Sequence, residues 1–464
     1  MTHETGTPAP EPALERSIGL WQLALYGLGS MLGAGIYGLI GKAAGVMGNA
    51  VWLAFLVAMT AALLTGLSYA SLGSRYPRAG GAAYVTQRAY GRPLLTYVVG
   101  LAVMCSGLTS IATQSQVVAA TLQRLPALAG VPTLLLALGF LLLMAGIVFR
   151  GIRESMWVNI VCTLMEAGGL VTVVLVGVSF WGRVDLMEVP AEAGGIDLSL
   201  LLQGAVLTFF SFIGFEDSIN VAEEVKNPRR TLPWGIVLSM GAATLIYLAV
   251  AVTAVSVVPW RELAAAPGPL VEVVNRAAPW IPAGLFVVIT VFAVANTALL
   301  NYVMASRLVY GMARLGLLPG PLGRVHRRRR TPYVAVMALG LLVALLMLAG
   351  DITQLASATV LLLLAVFTAV NLALVVLKRR PGEPRGRFEV PLAVPVLGAA
   401  ICAVLFLNRL VSGDWRAPGL ALLLLAGIVA LYAAMRPKRV FDLDVERLAD
   451  ETLPTGAGGQ GRSA

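Results

Sequence analysis

The chain has 464 residues, 58% of them hydrophobic and 12% charged, with a formal net charge of +10 and a mean hydropathy of +0.83. A soluble domain is about 45–50% apolar and about 25% charged, and a water-soluble protein has no way to hide so much apolar surface. These values exclude an ordinary soluble enzyme, a disulfide-built secreted scaffold and a disordered chain, whereas about twelve spans of about 20 residues absorb most of the apolar positions.

The first 17 residues are polar, carry Pro8, Pro10 and Pro12, and lack the apolar run of a signal peptide. Apolar runs then predict membrane spans at about 20–47, 50–73, 94–122, 132–149, 156–181, 199–222, 233–258, 281–311, 333–350, 354–377, 391–410 and 418–435. After Met435 the chain turns polar, and a solvated tail is expected. Cys105, Cys162 and Cys402 lie inside apolar runs, an odd set that fits small core residues and no disulfide framework. His3 and His326 fall in polar segments, which argues against an intramembrane histidine base or a histidine-held metal.

Basic residues alternate between loops. Arg75, Arg78, Arg88 and Arg92 follow span two, Arg150 and Arg153 span four, and Lys226, Arg229 and Arg230 span six. Arg314, Arg324 and the run Arg327–Arg330 follow span eight, and Lys378, Arg379, Arg380, Arg385 and Arg387 span ten. The other loops are poorer in Lys and Arg, so these are predicted to be cytoplasmic, with both termini inside. The positive charge therefore reports orientation in the cytoplasmic (inner) membrane, with a lipid-headgroup contact of Arg327–Arg330 as the lesser reading. It does not report a nucleic-acid partner.

Span one reads Tyr26-Gly-Leu-Gly-Ser-Met-Leu-Gly-Ala-Gly-Ile-Tyr-Gly38. Each glycine costs a helix about 1 kcal/mol relative to alanine. Gly29 and Gly33 alone fit a helix-packing face. The density of glycines, with Gly33-Ala34-Gly35 about 20 Å along the span at 1.5 Å per residue, instead suggests a helix broken near mid-membrane. Span six reads Thr208-Phe-Phe-Ser-Phe-Ile-Gly-Phe-Glu-Asp-Ser-Ile-Asn220, with Gly214 near its middle and Glu216 and Asp217 behind it. Intramembrane acids are costly toward lipid, so both are expected to face protein or water. Asp217 and Asn220 are read as satisfying freed backbone groups, and Glu216 as functional.

Backbone groups freed by a break cannot face lipid and must face a cavity or a ligand. N–H groups near Gly33, Ala34 and Gly35 suit a carboxylate, and carbonyls near Met31, Phe210 and Ile213 suit an ammonium. Together the two sets match an α-amino acid zwitterion. Phe209, Phe210, Phe212 and Phe215 are either a lid or plain packing. Breaks at corresponding places point to two five-helix repeats of inverted orientation around a transporter site. The expected fold is an all-α membrane protein of about 12 transmembrane helices. Its parts are a tail 1–17, a first repeat 18–182, a second repeat 183–380, two extra helices in 381–436 and a tail 437–464.

At these residues the sequence resembles the amino acid–polyamine–organocation superfamily, which has the leucine-transporter fold. Gly29–Ile36, Tyr76-Pro-Arg-Ala-Gly-Gly-Ala-Ala-Tyr84, the stretch Phe209–Pro233 and Ser306–Pro319 carry the resemblance, which extends over about residues 18–435. It implies proton-coupled uptake or exchange of amino acids. The implied substrate contacts are Met31, Gly33, Ala34, Gly35, Ile36, Phe210, Ile213 and Gly214, with Glu216 in proton sensing or gating. Many relatives carry a polar side chain where Ala34 stands, so that hydrogen bond is missing here. Several proton-coupled relatives keep a lysine in the fifth span, where aligning Asn159 and Thr163 puts Glu166. Glu166 is then the protonatable group, a cation ligand, or a structural hydrogen-bonder. Lys42 is expected to snorkel at the outer interface, and Arg307 to pair with Glu223 or Glu224.

The spans offer no convergent acid, base and metal set, which disfavours a membrane enzyme. An amino acid transporter is the first reading, with cationic amino acid or polyamine transport and a transporter-like sensor as alternatives. No cofactor or metal is called for. The implied partners are an amino acid, a proton or another cation, and the bilayer, and the oligomeric state stays open.

Overall fold

The computed structural model describes residues 16, 18–77, 81–150, 156–191, 194–219, 221–314, 317–326, 331–411 and 415–435. The polar N-terminus, Asn220, the Arg327–Arg330 run and the tail from residue 436 lie outside them. The described residues are almost entirely helical, with one isolated parallel bridge between Ile18 and Val225.

The first expected span is three helices in series: α1 (Leu20–Met31), α2 (Ala34–Gly38) and α3 (Ile40–Met47). A 3-10 turn at Gly48–Ala50 leads into α4 (Val51–Arg75), followed by α5 (Gly81–Tyr90), α6 (Pro93–Leu122), α7 (Thr133–Arg150) and α8 (Met156–Gly177). The sixth span is α9 (Leu198–Phe209), which gives way to 3-10 turns at Phe210–Phe212 and Phe215–Ile219. Then come α10 (Pro228–Val257), α11 (Trp260–Ala265), α12 (Pro269–Ala277), α13 (Ala283–Arg314), α14 (Tyr333–Ala349), α15 (Ile352–Arg379), α16 (Ala393–Val411) and α17 (Arg416–Met435).

Among the described residues ten helical stretches are long and apolar enough to cross a membrane, and Tyr333–Ala349 is a shorter apolar helix. Span one is missing from the ten as a unit because its breaks leave pieces too short to qualify. Leu142 (70% exposed), Leu245, Leu341 and Leu423 project outward from four different helices. Such a surface is stable only against lipid, so the chain is a multi-pass membrane protein.

One expectation is corrected here, and a second loses one of its two alternatives. Arg229 and Arg230, expected in the loop after span six, sit in the first turn of α10, because Pro228 at the first helical position needs no N–H partner. Arg307 is exposed and forms no ion pair with Glu224 among the described residues, while the side chain of Glu223 lies outside them.

One end of the bundle is fastened by charges that no span pattern announces. The 381–392 segment between α15 and α16 folds back onto α4 and α5. Glu389 accepts from Arg75 Nε at 2.7 Å and a second Arg75 nitrogen at 2.8 Å, and pairs with Lys378 at 2.9 Å. Glu383 accepts from Tyr76 Oη at 2.6 Å and Arg88 Nε at 2.9 Å. Partial burial opposes ionisation of both acids. The hydrogen bonds of Tyr76 and Arg88 at Glu383, and of Arg75, Lys378 and the Gly386 N–H at Glu389, outweigh it and hold both carboxyls below the usual 4.5. Burial and the bond to Glu383 push the Tyr76 phenol up to about 12, so it stays a donor at neutral pH.

Acids whose folded pKa is depressed stabilise the fold fully above the unfolded value, and that stabilisation is lost as pH falls through the folded value. The thermal stability of the detergent-solubilised protein is therefore expected to fall as pH drops below about 4.5. Glu389→Gln lowers stability at pH 7 by about 1–3 kcal/mol and flattens this acid limb.

Candidate functional site

Both breaks have a local backbone cause. Helix α1 ends when Leu32 turns extended, and Gly33 takes φ 153° and ψ −143°, a conformation that residues with a Cβ rarely adopt. The second break turns at Gly214, with φ 125°. Glu216 Oε2 accepts the Gly214 N–H at 2.9 Å, and Asp217 Oδ2 accepts from Ser30 Oγ at 2.7 Å. The two acids thus fasten the second break to itself and to the first.

The breaks lie in van der Waals contact. A Cβ on Gly214 would stand 2.5 Å from the Ser30 carbonyl oxygen, and one on Gly35 2.5 Å from the Ser211 Cα. Tyr247 on α10 bridges them, its hydroxyl lying 2.9 Å from the Met31 carbonyl oxygen and 2.8 Å from that of Ser211. Thr297 on α13 donates to the Leu32 carbonyl at 2.6 Å. Beyond the breaks, Ile18 N donates to Glu224 O at 3.0 Å and Lys226 N to Ile18 O at 2.9 Å, tying the two chain segments again.

Between the breaks and helices α6 and α13 lies a cavity of about 50 Å³. Of the expected site residues, Met31, Gly33, Ala34, Gly35, Phe210, Ile213, Gly214 and Glu216 line it. Ile36 does not, being packed with no exposure in α2. Glu166 is also outside the lining. It is 1% exposed on α8, with Tyr37 Oη donating to its backbone carbonyl at 2.6 Å. Asn296 on α13 approaches its carboxyl, yet neither carboxyl oxygen reaches hydrogen-bond geometry with any described residue. Thr163 Oγ1, Thr290 Oγ1 and Asn296 Nδ2 are buried and likewise unpartnered among the described residues.

The carbonyls expected to stand free are partly used. Met31 O faces Tyr247, and Phe210 O accepts the Ile213 N–H at 3.3 Å. A carbonyl has two lone pairs, so each retains one for a further donor. Of the four phenylalanines only Phe210 lines the cavity. Phe209 and Phe215 pack on Phe367, and Phe212 packs edge-on against Tyr247 and Phe55. Lys42 is exposed and donates to Ala264 O at 3.1 Å, beside a cleft of about 600 Å³ away from the breaks. Ser106, Ser110, Gln114, Thr297 and Asn301 line the cavity without having been singled out by sequence. The signal for three of them was present, since Ser106, Ser110 and Gln114 recur every fourth residue on one stripe of α6.

A lipid-facing helical bundle with two interrupted helices meeting at a buried polar cavity is a membrane transporter, not an enzyme. The chain belongs to the amino acid permease family, whose model matches residues 18–429. It is 30% identical over 418 residues to a branched-chain amino acid permease of Bacillus subtilis, covering 86% of this chain and 88% of that one. A methylthioribose transporter of the same organism is 28% identical over 427 residues, covering 87% and 90%. The mouse (Mus musculus) cationic amino acid transporter 4 is 32% identical over 396 residues, covering 81% of this chain and 61% of that protein. The fold is shared with the crystal structure of a manganese transporter mutant from Eremococcus coleocola, at a TM-score of 0.64 and 13% identity over 92% of this chain and 98% of that one.

Proposed function

We propose that the chain is a secondary active transporter that moves L-amino acids across the cytoplasmic membrane by alternating access, with a proton as the coupling ion. The observation that carries this reading is the contact between the two breaks, Gly35 against Ser211 and Gly214 against Ser30–Met31, at the wall of a polar cavity. N–H groups at Gly33, Ala34 and Gly35 take the substrate carboxylate, and the carbonyls of Met31, Phe210 and Ile213 take its ammonium. The reading uses twelve passes, inverted repeats over 18–182 and 183–380, and cytoplasmic termini.

Glu166 carries the proton in this scheme. Its carboxyl is buried with no donor in hydrogen-bond geometry among the described residues, and a buried carboxylate without a partner is costly. Helix α8 packs on both α1 and α13, and a Cβ on Gly29 of α1 would meet Thr163 Oγ1 at 2.0 Å. Movement of the broken helix against α8 then alters the surroundings of Glu166. Substrate binding and proton release are coupled through that contact.

A cationic amino acid is the second reading, favoured by Glu216 and Asp217 on the cavity wall. Uptake of labelled amino acids into proteoliposomes, with and without an inward proton gradient, tests the proposal. Accumulation above equilibrium that depends on the gradient is expected. Binding without uptake would make the chain a sensor, and uptake of neither neutral nor cationic amino acids would contradict both readings.

A further inference from the structure

The cavity wall facing the two breaks is polar in a way that the backbone site leaves unexplained. On α6, Val103, Ser106, Gly107, Ser110 and Gln114 form one stripe along it, and Asn301 meets them from α13. Most hydroxyls of α6 are spent on their own helix: Ser106 donates to Val103 O at 2.7 Å, Thr113 to Thr109 O at 2.9 Å and Ser115 to Ile111 O at 2.8 Å. These are ordinary local bonds that let a polar residue sit in an apolar span.

Gln114 is different. Its side-chain amide is 1% exposed, and its Nε2 donates to Ser110 Oγ at 3.0 Å. Asn301 Nδ2 donates to the same oxygen at 3.3 Å. Ser110 thus fixes both amides from the side away from Gln114 Oε1, and that oxygen has no partner among the described residues. A buried amide oxygen left unpaired is destabilising, so an orphan held in place beside a cavity signals a donor that arrives with a ligand.

We infer that Gln114, oriented by Ser110 and Asn301, is the specificity-determining contact for the substrate side chain, and that it selects short side chains carrying a hydrogen-bond donor. The inference rests on the amino acid site proposed above, with the substrate's charged ends on the breaks and its side chain directed toward α6. The missing Cβ of Gly107, which has open space around it, gives that side chain room. The whole cavity, charged ends included, is about 50 Å³, which favours the smallest side chains. An aliphatic side chain of the same shape fits the volume but leaves Oε1 without a donor. Sites built to bond a hydroxyl reject the analogue that lacks it far more strongly than apolar pockets sort by size.

L-Threonine and L-valine are near-isosteric and differ in that one donor, so they form the test. Each competes with uptake of labelled L-serine into proteoliposomes containing the full-length protein. Threonine is expected to inhibit at a concentration about ten-fold or more below that of valine. In Gln114→Leu the ratio is expected to fall to one or invert. Ser110→Ala, a smaller change that frees the Gln114 amide, is expected to reduce it by a lesser factor and serves if the leucine variant does not fold. Equal inhibition by threonine and valine in the unaltered protein, or stronger inhibition by valine, overturns the subsite while leaving amino acid transport standing. If no labelled amino acid is taken up or bound, the reading of the site falls as well. An unchanged ratio in both variants assigns the selectivity elsewhere and overturns the role of Gln114.

Discussion

Replacing Gly214 by alanine is expected to reduce amino acid uptake at least a hundred-fold while the protein remains folded. The reason is geometric. At φ 125° an L-residue is strained whatever space surrounds it, and the new methyl would lie 2.5 Å from the Ser30 carbonyl oxygen, 2.6 Å from its carbon and 2.9 Å from Met31 N. All three are backbone atoms of the first break and have no rotamer to escape into. The two breaks must part, and the proposed carboxylate and ammonium sites then no longer face one molecule; displacements of this size are enough to cost two orders of magnitude in positioned chemistry and binding. Gly241→Ala, on α10 with nothing within 4 Å of its added carbon, is the matched control and keeps its rate. Initial uptake rates, read beside size-exclusion profiles and melting temperatures, separate a lost site from a lost fold.

Glu166→Gln is expected to abolish gradient-driven accumulation, by ten-fold or more, with amino acid binding retained. The substitution keeps the shape of a side chain that lies outside the cavity lining, so the substrate's contacts survive. What it removes is the exchangeable proton. The pH dependence of accumulation is expected to flatten in the variant, because no group at this position titrates. A variant that still concentrates substrate with the same pH profile removes Glu166 from the coupling and leaves it as a structural residue.

The breaks were legible because glycine carries a physical meaning inside a membrane helix: Gly33 and Gly214 both take backbone angles that the rest of the alphabet avoids. The acids beside Gly214 were legible for their cost in lipid, and the structure gives Glu216 and Asp217 local bonds to Gly214 and Ser30. The polar stripe of α6 was harder to read. Ser110 and Gln114 alternate with Ser106, Thr109, Thr113 and Ser115, whose hydroxyls bond carbonyls of their own helix, and composition alone does not tell the two sets apart. The packing of α6 against α13 separates them.

The pairing of Arg75 with Glu389 and of Arg88 with Glu383 joins residues about three hundred positions apart, and no local pattern encodes it. Alternating loop charge revealed that Arg75 and Arg88 stand at an end of the bundle, though not what they hold. The first turn of α10 was misread because Asn-Pro-Arg-Arg has the composition of a loop. Proline at the start of a helix looks the same in sequence as proline ending one.

Competition binding with singly charged analogues decides whether the two breaks hold a zwitterion. The purified protein is titrated with an L-amino acid that it transports, with that amino acid's methyl ester, which lacks the carboxylate, and with its N-acetyl derivative, which lacks the ammonium. Both derivatives are expected to bind at least a hundred-fold more weakly than the parent, because each leaves one set of freed backbone groups at Gly33–Gly35 or at Met31, Phe210 and Ile213 without its partner. Equal affinity of either derivative and the parent would mean that the breaks do not read both charges, and the proposed site would be wrong.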